Sequence, residues 1–150
     1  MNLNAEDMRY LIKTAETAER YDEMVDYVIQ LTMQRLNNDE ELNDEERTHL
    51  SVAFKNVVGS RRASWRVLSS IQGKEDKKGN AGNVQKIRTY KGKIEEELRD
   101  LCNKVLDLLG AKLIPKTKSD EGRVFYMKMR GDYYRYIAEF SSGGTREGAA

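Results

Sequence analysis

An all-α protein, built as an antiparallel array of about five helices, is what this sequence predicts, and two observations carry that expectation. The 150 residues are 39% hydrophobic and 34% charged with a single proline, a mixture that suits long amphipathic helices better than strands or disorder. Apolar residues also recur at three-and-four spacing through most of the chain, the period of a helix with one buried face. No internal repeat is visible, so an irregular array is expected rather than a solenoid of short helical pairs. At this length one compact unit, 1–150, is the default.

Helices A and B are expected within 1–36. In helix A, Met8, Leu11, Ile12, Ala15 and Ala18 share a face, and Asn4 can cap its N-terminus. Helix B starts at Arg20, carries Met24, Val25, Val28 and Leu31, and ends at the pair Asn37 and Asn38, which suits chain reversal. Helix C, 43–73, opens on Asn43 followed three residues later by Glu46, a capping-box pattern, and continues through Leu50, Phe54, Val57, Trp65, Leu68 and Ile71. The stretch 73–83, rich in Gly, Lys and Asn, reads as an exposed loop. Helix D, 83–114, keeps its period through Val84, Ile87, Ile94, Leu98, Leu101, Val105 and Leu108. Gly92 inside it costs about 1 kcal/mol relative to Ala, and Pro115 should stop it. Helix E, 119–142, carries Phe125, Met129, Tyr133, Tyr136, Ile137 and Phe140 until Gly143 and Gly144, leaving 143–150 as a flexible tail.

Composition excludes several function classes. The 26 basic and 25 acidic side chains leave a formal charge of +1, so no bulk attraction pulls the chain to nucleic acid or to a membrane surface. The polar N-terminus has no apolar stretch of signal-peptide length, and no run approaches a membrane span. One cysteine, Cys102, precludes an internal disulfide and suits a reducing, cytoplasmic setting. Its neighbours Leu101 and Val105 mark it as a packed core thiol, and His49, the only histidine, reads as a solvated helix residue. Acidic residues interleave with basic ones at helical spacing, as on solvated faces. No catalytic set, metal site or cofactor is therefore expected, and the chain is read as a non-enzyme.

The distinctive feature is a set of cations on two helices. Lys55 and Arg62 lie seven residues apart, so they are offset by only about 20° around helix C, and Arg66 follows about 40° further on. The same interval separates Lys128 from Arg135 on helix E, with Tyr136 beside the latter. Facing one another, these stripes would offer guanidinium forks and a phenol hydroxyl, the donors a tetrahedral phosphate dianion needs. Taken alone, the pattern is more often an ordinary solvated basic face.

Four segments in one order decide between these readings. Leu50-Ser51-Val52-Ala53-Phe54-Lys55-Asn56-Val57-Val58-Gly59-Ser60-Arg61-Arg62-Ala63-Ser64-Trp65-Arg66 resembles the third helix of the 14-3-3 family. Ala18-Glu19-Arg20-Tyr21-Asp22-Glu23-Met24, Glu97-Leu98-Arg99-Asp100-Leu101-Cys102-Asn103 and Val124-Phe125-Tyr126-Met127-Lys128-Met129-Arg130-Gly131-Asp132-Tyr133-Tyr134-Arg135-Tyr136 also resemble that family, and the four together span nearly the whole chain. The resemblance implies the N-terminal part of a dimeric 14-3-3-like fold and an adaptor for proteins phosphorylated on serine or threonine. Phosphate would be held by Lys55, Arg62, Arg135 and Tyr136, with Lys128 and Arg66 as neighbouring cations and Asp132 one turn from Arg135. The resemblance also implies a two-fold seam involving Ala18, Arg20, Glu23, Ser64, Tyr90, Lys93 and Glu97. Charge pairs from Arg20 to Glu97 and from Glu23 to Lys93 would cross it, in a homodimer or a heterodimer with family members. Two pockets per particle would then favour doubly phosphorylated clients.

Arg61-Arg62-Ala63-Ser64 reads either as a basophilic kinase site, whose phosphate would push a seam apart, or as an ordinary structural serine. Departures from the family pattern are Arg47-Thr48-His49-Leu50, Phe54 where Tyr is typical, and the Gly-rich stretch before Asn83, which removes one intersubunit salt bridge. Family members carry about nine helices, and the last ones supply an Asn that clamps the peptide backbone and the apolar wall of the groove. The 150 residues stop near the fifth. They are therefore read as a truncated chain, a proteolytic remnant or a short natural paralogue that dimerises but holds clients weakly, with exposed apolar faces on helices C and E. The competing expectation is a dimerisation module that has lost phosphopeptide binding.

Overall fold

The structure is a computed structural model that describes residues 3–149, with side chains through residue 141. The expected helical array is present. Helices α1 (Ala5–Thr17), α2 (Tyr21–Asn37), α3 (Asp44–Lys77) and α4 (Ala81–Asp107) are followed by a π-helical segment (Leu108–Leu113), a single turn α5 (Ile114–Lys116) and the long α6 (Asp120–Ala149). Short connections make sequence neighbours antiparallel. α1 packs on α2, α2 on α3, and α3 on α4, and α4 also receives α6. No helix among the described residues is long and apolar enough to cross a membrane.

Both Asn caps close as reciprocal boxes. The Asp7 N–H donates to Asn4 Oδ1 at 2.8 Å, and the Glu46 N–H donates to Asn43 Oδ1 at 2.8 Å while the Asn43 N–H returns a bond to Glu46 Oε1 at 2.9 Å. The apolar stripes converge on one core that includes Ile12, Met24, Leu50, Phe54, Leu98, Cys102, Leu109 and Phe140.

Several boundaries differ from the expectation. Most of the stretch 73–83 is helical: α3 runs to Lys77 and α4 starts at Ala81. The reversal is confined to Gly79, at φ 76°, and is clasped by Glu75 Oε2, which accepts from Asn80 Nδ2 at 2.7 Å and Asn83 Nδ2 at 3.3 Å. Pro115 sits in the single turn α5, entered out of the wider π segment where its missing N–H costs little, and the helical run ends one residue later at Lys116, two residues beyond the expected 114. Backbone helix also continues to Ala149 past Gly143 and Gly144. Glycine weakens a helix by about 1 kcal/mol per residue without forbidding it. The expected tail, 143–150, falls on residues whose side chains lie outside the described ones, and residue 150 lies wholly outside them.

His49 is not solvated. It is buried, because α1 crosses the start of α3 and ties to it through Arg9–Glu46 at 3.4 Å and Lys13–Glu45 at 2.9 Å. Glu46 is another departure from the solvated-face reading: its side chain is 1% exposed. It accepts from Arg35 Nη2 at 2.8 Å and Arg35 Nε at 3.2 Å, so one carboxylate joins α1, α2 and α3.

Cys102 is fully buried, and desolvation pushes its thiol up to about 11, against a smaller opposing influence of Arg62. Two units above the usual value reduce the thiolate about 100-fold at a given pH. Iodoacetamide at pH 8 is therefore expected to label the native chain at least about 100-fold more slowly than the chain in urea. Labelling at equal rates would show an open core.

Candidate anion-binding site

The site is formed by α3 and α6, which both lean on α4 and face one another across a gap bridged by side chains. Phe54 and Tyr133 meet edge to face across it, with centroids 6.5 Å apart, and fix the spacing from below. Above that contact, one open cleft is lined by Lys55, Asn56, Arg62 and Tyr136 among others. A second, lined by Lys55, Lys128, Asp132 and Tyr136 among others, adjoins it. Lys55 and Tyr136 belong to both, so the ammonium and the phenol sit where the clefts meet.

The Arg62 guanidinium carbon lies over the Tyr136 ring, 3.9 Å from its centroid, and Arg135 approaches the same ring at 5.4 Å. Such cation–ring contact helps to orient a guanidinium. Arg135 is 70% exposed on its side chain and meets Asp132 at 3.4 Å, the pair expected one helical turn apart. Arg66 lines neither cleft. Its guanidinium instead binds Glu139 through Nη2 at 2.9 Å and Nε at 3.0 Å.

Glu139 is the site residue that the sequence reading passed over. Its Oε2 accepts from Arg62 Nη2 at 2.8 Å, so it clamps two cations of the stripe at once. Burial alone would raise its carboxyl, but hydrogen bonds and charge from Arg62 and Arg66 hold it below the usual carboxylate range. The available signal was its place four residues after Arg135 and three after Tyr136, on the same face of α6.

Of the expected seam residues, Ala18, Arg20, Glu23, Ser64, Tyr90 and Lys93 are exposed, and Glu97 is half-buried. Within the single chain Arg20 pairs with Glu23. Glu97 accepts from Arg61 Nε at 3.2 Å, and Arg61 also reaches Asp22 at 3.4 Å. Ser64 Oγ donates to the Ser60 carbonyl at 3.1 Å.

Chemically, two adjoining clefts are lined by ammonium, guanidinium and phenol groups. That is a donor set for a tetrahedral anion. Among the described residues no cluster of His, Cys, Asp and Glu could hold a metal ion.

Comparison with known proteins follows the same line. The family model for "14-3-3 protein" matches residues 11–150. Over its whole length the chain is 51% identical to a 14-3-3-like protein of Chlamydomonas reinhardtii, of which it covers 57%. It is 52% identical over 148 residues to 14-3-3-like protein C of Nicotiana tabacum, with 97% of this chain and 55% of that protein aligned. It is 51% identical over 148 residues to 14-3-3-like protein B of Hordeum vulgare, with 99% and 56% covered. The chain thus spans about half the length of the curated relatives it matches. With a family model matched across nearly every residue, and about half of all positions shared with relatives, the chain belongs to the 14-3-3 family.

Proposed function

We propose that the chain is a phosphoserine- and phosphothreonine-binding adaptor of the cytoplasm that works as a dimer, regulating client proteins by holding them. One observation carries the reading: Lys55 and Arg62 from α3 and Tyr136 from α6 line a common cleft, with Arg135 also within 5.4 Å of the same phenol ring. A phosphate dianion entering there would meet an ammonium, a bidentate-capable guanidinium and a hydroxyl donor together, and charge-assisted bonds of this kind are the strong ones. Lys128 adds positive potential from the adjoining cleft. Exposure of Ala18, Arg20, Glu23, Ser64, Tyr90 and Lys93 leaves the seam residues available to a second family subunit, and two pockets on one particle would raise avidity for doubly phosphorylated clients.

The test is a fluorescent peptide titrated in phosphorylated and unphosphorylated form against the chain. Binding is expected only for the phosphorylated peptide, and Lys55→Glu should weaken it by about 100-fold or more, because it removes a donor and places a like charge beside the ligand. Equal binding of the two peptides, or no binding of either, sinks the adaptor reading and leaves the dimerisation module. Sedimentation at the monomer mass would sink the dimer.

A further inference from the structure

The contacts of Glu139 bear on how the phosphate site is regulated. Both of its carboxylate oxygens are taken by guanidinium, Oε2 by Arg62 Nη2 at 2.8 Å and Oε1 by Arg66 Nε and Nη2 at 3.0 and 2.9 Å. Arg62 Nε is buried and meets no acceptor among the described residues. Of the three Arg62 nitrogens, then, one is buried without an acceptor among the described residues, and a second has one hydrogen committed to Glu139. A guanidinium grips a phosphoryl group through two adjacent nitrogens. Nη2 carries a second N–H, so a phosphoryl group can approach the Nη1–Nη2 edge, but there it competes with the Glu139 carboxylate for the charge and the hydrogen bonding of Arg62.

Glu139 is not stranded by that competition, because a hydrogen bond from Arg66 Nε and an ion-pair contact from its Nη2 remain on the other oxygen. The cost of leaving a carboxylate without a partner is thereby avoided. Arg66 lines neither cleft, which fits a cation that serves the carboxylate rather than the ligand.

Resting on the phosphate-site reading above, we infer that Glu139 is an internal anion occupying Arg62 in the empty site, and that Arg66 is its reserve partner. A phosphoryl dianion takes Nη2 of Arg62 while the carboxylate stays on Arg66. Glu139 sets how tightly the pocket holds phosphate, and Arg66 acts on affinity only through Glu139. It is a positioning residue, not a phosphate ligand.

A double-mutant cycle separates this from direct contact. The probes are a phosphoserine peptide and inorganic phosphate, in about 0.15 M salt, where charges beyond about 8 Å are screened. Glu139→Gln keeps the shape, removes the competing charge and should tighten the peptide about 10-fold. Arg66→Gln should weaken it about 5-fold in the wild-type background, because Glu139 then clings to Arg62 alone, and should change it by less than about 2-fold once Glu139 is Gln. Weaker binding in Glu139→Gln, or an equal loss from Arg66→Gln in both backgrounds, overturns the inference.

Inorganic phosphate supplies a readout free of the peptide. In the wild-type chain the Arg62 Nε–Hε resonance should shift on phosphate titration while that of Arg66 stays, and Glu139→Gln should saturate at lower phosphate. If no phosphopeptide binds, the adaptor reading fails on its own, and the inorganic titration still decides the exchange. Saturation at unchanged or higher phosphate in Glu139→Gln, or an Arg66 signal that moves with Arg62, counts against it.

Discussion

Glu46→Ala should cost about 3–5 kcal/mol of stability, the range for removing one partner of a buried ion pair. The carboxylate is 1% exposed and accepts from Arg35 twice, from Arg9 and from the Asn43 N–H. Deleting it leaves the Arg35 guanidinium largely enclosed with only Glu40, at 3.2 Å, to answer it, and the α3 capping box loses its return bond. Urea unfolding followed by circular dichroism measures the change. Glu46→Gln, which keeps the cap and part of the hydrogen bonding, should lose less than Ala does. A loss below about 1 kcal/mol for Ala would place the carboxylate in solvent and dissolve this account of how α1, α2 and α3 are tied.

Phe54→Ala is the second large effect, again about 3–5 kcal/mol, because the ring has no exposed surface and its removal leaves a cavity that long helices on three sides cannot close. Some of the loss comes from the edge-to-face contact with Tyr133, worth about 0.5–1.5 kcal/mol beyond burial. That contact spaces α3 from α6, so the damage should be local as well as global. Hydrogen exchange should quicken in α6 more than in α1, where Ile12 packs on other neighbours. Uniform quickening would mean that Phe54 supports the whole core and does not particularly set the gap. Phe54→Leu, which refills much of the volume, should recover more than half of the stability.

How much of this was legible in the chain can be judged from particular residues. The two Asn caps announced themselves, since a cap is a local arrangement three residues wide: the Asn43–Glu46 box formed where the pattern placed it, and Asn4 caps α1 as expected, with Asp7 closing a box that had not been anticipated. The stripe of Lys55 and Arg62 was equally readable, because seven residues of helix bring two side chains almost into line whatever surrounds them. Boundaries were harder. Gly73 carries a strong local signal for stopping a helix and was overruled by good helix formers on either side, whereas the run does end just past Pro115, after a π segment that no propensity foretells.

Charge was least legible. Glu46, Glu139 and His49 look alike on paper, polar residues in charged surroundings, and the sequence reading put such residues on solvated faces. Glu46 and His49 went inside because α1 folds across the start of α3. Glu139 became half of a clamp because α6 returns beside α3 some 77 residues later in the chain.

Family, helix content and the alignment of Lys55 with Arg62 along one helix face were determined by the sequence alone, because each depends on residues close together in the chain or on motifs read in order. Only the tertiary structure decided which acids those cations face. Partners in an ion pair are chosen by distance in space, and helices far apart in sequence come within 3 Å of one another only when the core beneath them packs.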